Sequence, residues 1–155
     1  MSLRSKAAKL ALDNLGLRPH LVPLLQRHAA SPIERWHTAT VNKLEKMLAG
    51  VTLDDAVDAW NELERFKSAV ESEMGSLSFY DGKTEQQDEV KEELQEALNT
   101  LADETQDAMD EIEELWDLED EGRDNQDKIE GLVSDIERRV NDLDKMGREI
   151  KRAFR

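Results

Sequence analysis

The chain of 155 residues has no cysteine, which excludes disulfides and thiolate metal sites. Aromatic residues make up only 5% and charged residues 37%, a balance that favours solvated helices over a thick globular core. Prolines are limited to three and glycines to seven, most of them at segment ends. No apolar run approaches the roughly 20 residues needed to span a bilayer. Met1 to Lys9 is basic, but no continuous apolar stretch or small-residue cleavage site follows it. Neither a secretory leader nor membrane insertion is therefore expected, and the expectation is a soluble protein, intracellular or virion-associated. A phosphate-cradling glycine loop is missing, and so is a nucleophile in a recognisable setting, so neither an enzyme nor a cofactor is expected.

What the chain does have is an apolar seam through an acidic second half. Leu94, Leu101, Ala108, Leu115, Gly122, Ile129, Ile136, Leu143 and Ile150 recur every seventh residue. Leu98, Thr105, Ile112, Glu119, Gln126, Val133, Val140, Gly147 and Phe154 form a second row four residues further on. This is the 3-4 spacing of a coiled coil. A seam so narrow needs a partner, elsewhere in this chain or on another. The expected interaction seam comprises Leu94, Leu98, Leu101, Ile112, Leu115, Ile129, Val133, Ile136, Val140, Leu143, Ile150 and Phe154.

Charge is distributed unevenly within a net of −15. Residues 1 to 50 carry eight Lys/Arg against Asp13, Glu34 and Glu45, a balance of +5. Residues 84 to 127 carry nineteen Asp/Glu against Lys91 and Arg123, a balance of −17. From Arg138 to Arg155, seven basic residues face Asp142, Asp144 and Glu149, a balance of +4. Such a basic–acidic–basic order can steer association through complementary patches. It also fits a solvated helix face kept soluble by like charge.

The first half is punctuated into short helices. Residues 2 to 14 place Leu3, Ala7, Leu10 and Ala11 on one side, and Pro19 opens a second short segment. Ser31-Pro32-Ile33-Glu34 reads as a helix start with Ser31 as cap, and Gly50 as its stop. Thr52 repeats the capping logic with Asp55 three residues on, and Leu53, Val57, Trp60, Leu63, Phe66 and Val70 form one stripe ending near Gly75. The two helices, 32–49 and 53–74, are expected to pack antiparallel. Within 76–83, Asp81-Gly82 marks a turn.

The expected architecture is all-α. A helical docking module over 1–75 and a linker at 76–83 precede an acidic coiled-coil arm over 84–155 with a basic C-terminal tail. Glu119 to Gln126 contains no apolar residue, and Asp124 or Asn125 could cap the return helix of a hairpin. The seam nevertheless keeps its heptad phase from Leu115 to Ile129, which favours one nearly continuous helix of roughly 105 Å. The hairpin is the alternative.

Two motifs invite chemistry. Glu34 to His37 matches the Glu-x-x-His of di-iron bundles, but that chemistry needs two such motifs and further carboxylates. Asp117 to Gly122 matches half of an EF-hand loop, then fails with Asp124 at position 8 and Lys128 at position 12. No metal site is expected from either, and His20 and His28 lack paired-ligand spacing. Trp36 and Trp60 read as core of the first helix pair, and Trp116 as packing at the seam edge or against the N-terminal domain, or as a recognition hot spot.

The expected function is therefore structural. Self-association or the grip of a protein partner through the coiled coil is expected, most simply as a homo-oligomer with no specific nucleic-acid binding. In its order of charge, an acidic helical body with a basic tail resembles viral capsid scaffolding proteins, which implies a basic segment that contacts a shell. The alternative is an acidic DNA mimic, its carboxylates imitating a line of phosphates.

Overall fold

The computed structural model describes residues 30–119 and 125–154, and Pro32–Arg155 form one compact unit. The two short helices expected before residue 30, and the roles suggested for Gly122 and Asp124, lie outside the described residues. The described part holds four helices and no strand: α1 (Pro32–Ala49), α2 (Ala56–Leu77), α3 (Glu85–Glu119) and α4 (Gln126–Ala153).

Local chemistry accounts for each boundary. Pro32 occupies the first helical position of α1, where its missing N–H costs nothing. Asp55, rather than Thr52, caps α2: its carboxylate accepts from the backbone N–H of Val57 at 2.8 Å and of Asp58 at 3.3 Å. Thr52 instead donates its backbone N–H and its hydroxyl to Glu62, pinning the α1–α2 loop to the second turn of α2. Gly75 does not stop α2, which runs to Leu77 and closes with the Ser78 hydroxyl on the Gly75 carbonyl at 2.6 Å. At α3, Thr84 Oγ1 accepts from the Gln87 N–H at 3.2 Å, while Gln87 Oε1 accepts from the Lys83 N–H at 2.7 Å. That arrangement is close to a capping box.

The helices form an up-down-up-down bundle. Each packs on the next, and α1 closes the ring against α4. The axes between neighbours run antiparallel, as the paired residues show: Lys67 with Gln106 across α2–α3, and Gln87 with Ala153, Glu104 with Arg139 and Leu115 with Asn125 across α3–α4.

The continuous rod does not form. α3 ends at Glu119, α4 begins at Gln126, and the two lie side by side. The preserved phase carries no weight because an antiparallel bundle repeats its core positions at the same heptad spacing as a rod. Asn125 belongs to the reversal. Its side chain does not cap α4 but donates to the Leu115 carbonyl at 3.0 Å, tying the start of α4 to the last turns of α3.

The core runs the length of the bundle. Leu44, Ala56, Ala59, Leu63, Phe66, Val70 and Leu77 of the first pair are fully buried with Leu101, Ile112, Ile129 and Ile150 of the second. The expected 76–83 linker is thus a connection at 78–84 inside one folded unit, and the division of the chain falls between Ser31 and Pro32.

Candidate interaction surface

Of the twelve residues assigned to a partner-binding seam, Leu94, Leu98, Leu101, Ile112, Leu115, Ile129, Val133, Ile136, Val140, Leu143 and Ile150 are all buried within this chain, and Phe154 is half-buried. The seam finds its partner in α1 and α2 as well as across the hairpin. A surface for another molecule must therefore lie on the outer faces, which their polar residues leave in solvent.

Two members of the seam that are not aliphatic, Thr105 and Gly147, are accommodated within the chain. Thr105 is fully buried and returns its hydroxyl to the Leu101 carbonyl at 2.7 Å. Gly147 makes room for His37: a Cβ there would sit 3.1 Å from Cε1 and 3.3 Å from Nδ1 of the imidazole. His37 itself is buried and donates from Nε2 to the Leu143 carbonyl at 2.8 Å, fastening α1 to α4. Burial holds its pKa below the ordinary histidine value, against the upward pull of that bond and of Asp144. This explains His37 without a metal, and among the described residues no cluster of three His, Asp or Glu side chains is placed to hold one.

Glu73 organises the α1–α2 contact. Its carboxylate accepts from Trp36 Nε1 at 2.9 Å, Thr40 Oγ1 at 3.0 Å and Lys43 Nζ at 3.3 Å, residues that share one face of α1. Trp36 also tilts against Tyr80, with ring centroids 6.0 Å apart. Trp116 meets Trp60 at 6.0 Å, so it packs against the first helix pair. Neither of those two indole N–H groups reaches an acceptor.

Charge is concentrated on one helix. α3 carries fifteen Asp/Glu against Lys91 alone, and its described carboxylates are all exposed except the half-buried Glu104. α4 balances seven acidic against seven basic residues. Between α3 and α4 the outer surface is creased by three open cavities of about 320, 480 and 790 Å³, which share Arg139, Asp142, Glu111, Leu132 and Asp135 and so run head to tail. Arg139 crosses the crease to Glu104 at 2.7 Å. Sequence reading located the acidic charge but not the crease, which depends on the hairpin register.

Compared with family models, curated proteins and solved structures, the chain has no match. No helix among the described residues is long and apolar enough to cross a membrane.

Proposed function

We propose that the chain is a non-enzymatic binding module in a larger assembly, a helical bundle that recruits a basic protein partner through the acidic outer face of α3. The observation that carries this reading is the placement of charge, fifteen carboxylates against one lysine on α3 beside an electrically balanced α4. Crowding like charge on one helix opposes folding, whereas a cationic partner turns the same charge into attraction and faster encounter. A virion or scaffolding setting fits the same order of charge. The partner is a different protein rather than a second copy, because copies carrying −15 repel and the apolar seam is already occupied within the chain.

The test is affinity capture from source-cell extract with the wild-type chain and with a variant carrying Lys at Glu93, Asp107, Glu111 and Glu114. A basic partner held by the wild type and lost from the variant is the expected result. Partners retained equally by both would overturn the reading.

A second reading, the DNA mimic, draws on one observation. α3 holds its exposed carboxylates on a single helix of 35 residues, roughly 53 Å long, braced by the bundle. In that case the captured partner binds nucleic acid, and duplex DNA displaces it from the chain.

A further inference from the structure

The crease between α3 and α4 has the form of a seat for one more helix, and we infer that it takes a basic amphipathic helix of the partner. This rests on the proposed recruitment of a basic protein and goes on to say where and how that protein docks.

The dimensions come first. From Glu93 to Glu114 the crease follows α3 for about 32 Å, the length of a helix of roughly 21 residues. Small residues line the crease on both sides of the Arg139–Glu104 pair that crosses it: Ala97 and Thr100 on one side, and on the other Ala108 and Gly131, where an added Cβ would meet nothing within 4 Å. Side chains of that size let a third helix approach to helix-packing distance.

The floor and rim differ in chemistry. Ala97 and Leu132 are half-buried apolar residues left facing the crease, above the buried Ile136. On the α3 rim stand Glu93, Glu96, Asp107, Glu111 and Glu114, none of which has an ion pair among the described residues. Of the cations on the opposite rim, Arg139 is engaged with Glu104 at 2.7 Å and Arg138 with Asp135 at 2.6 Å, and Lys128 stands at the Glu111–Glu114 end. The five carboxylates of the α3 rim therefore outnumber the cations that the opposite rim offers them. A helix with an apolar stripe at i, i+3, i+4 and i+7, and Lys or Arg on the flank facing α3, meets floor and rim together. A second copy brings net negative charge and does not.

The probe is a fluorescently labelled 20-residue peptide of leucine and lysine patterned in that way, with a scrambled peptide of the same composition as control. Anisotropy titrations are run on the full chain at 0.05 M and 0.3 M salt. The patterned peptide is expected to bind at least tenfold more tightly than the scrambled one. Gly131→Trp, which fills the crease at a position with free space, is expected to weaken it at least tenfold, while Gly131→Ala leaves it unchanged. Charge reversal at Glu64 and Glu71 on α2 should have no such effect, and circular dichroism checks the fold of each variant. Equal binding of both peptides would overturn the helix seat and leave the charge-based recruitment standing. No binding of either at 0.05 M salt would remove both. Association of the chain with itself that Gly131→Trp abolishes would make a second copy the occupant and overturn the inference.

Discussion

The Nε2 of His37 on α1 lies 2.8 Å from the carbonyl oxygen of Leu143 on α4, a buried hydrogen bond between residues 106 apart in the chain. A carbonyl only accepts, so Nε2 carries a proton in either charge state of the ring. Burial lowers its pKa in the folded state. As pH falls below about 6.5 the unfolded chain takes up a proton that the folded chain refuses, so the contribution of His37 is full above that value and fades below it. His37→Gln, which cannot titrate, should cost about 1 kcal/mol at pH 7.5 for the altered bond and packing. Urea denaturation should show that gap between wild type and variant narrowing by pH 5. An unchanged gap would mean that Asp144 and the hydrogen bond offset burial.

Two glycines on α4 should respond to alanine with opposite signs. At Gly131 the new methyl meets open space, and the gain in helix propensity is up to about 1 kcal/mol. At Gly147 the methyl presses on the buried His37 ring, which its bond to Leu143 holds in place. Gly147→Ala should therefore lower the melting temperature, and the loss should disappear in a His37→Ala background. A loss that persists there would assign the cost to something other than the imidazole.

Ile136 is 1% exposed, in the middle of α4. Ile136→Asp buries an unpaired carboxylate at a cost of several kcal/mol, enough to unfold a bundle of ordinary stability. The expected readout is loss of helical circular dichroism, not dissociation of an oligomer into folded monomers. Folded monomers from a larger wild-type species would mean that the seam joins separate chains.

Trp60 and Trp116 bury two indole N–H groups that lack acceptors while their rings stack obliquely at 6.0 Å. Each orphan donor costs about 1–3 kcal/mol. Trp116→Phe keeps most of the apolar contact and removes one orphan, so its net effect should stay under about 1 kcal/mol. Trp116→Ala should cost about 3–5 kcal/mol. A large loss in the Phe variant, read from thermal melts, would show that the N–H is engaged after all.

The all-helical class and the limits of α1 were legible in the sequence, because Pro32, Gly50 and the 3-4 periodicity act within a turn or two of themselves. The hairpin was less so. A heptad pattern states that a helix buries one stripe, and the same stripe serves a rod and an antiparallel bundle alike. The decisive residue, Asn125, works through a side-chain bond to Leu115 ten positions back, a relationship that residue spacing does not encode. The α2 cap was misplaced for a related reason. Thr52 and Asp55 both suit a cap, and Glu62, most of a helix away in sequence terms, claims Thr52. The acidity of α3 was plain, but its alignment along a crease floored by Ala97 and Leu132 requires the α3–α4 register.

The closing of the ring between α1 and α4 also has a kinetic consequence. The other extensive helix contacts join sequence neighbours and can form as local hairpins, whereas the α1–α4 contact must await the whole intervening chain. It should be the last interface to form and the first to yield. Mutations at His37 should then hasten unfolding and leave the refolding rate nearly untouched, the pattern of a contact absent from the transition state. Stopped-flow chevrons of wild type and His37→Gln would display this as a shift confined to the unfolding arm. In the cell, the same asymmetry would make α1 a removable stave, one whose transient departure bares the Val133 to Ile150 stripe of α4 without melting the other three helices.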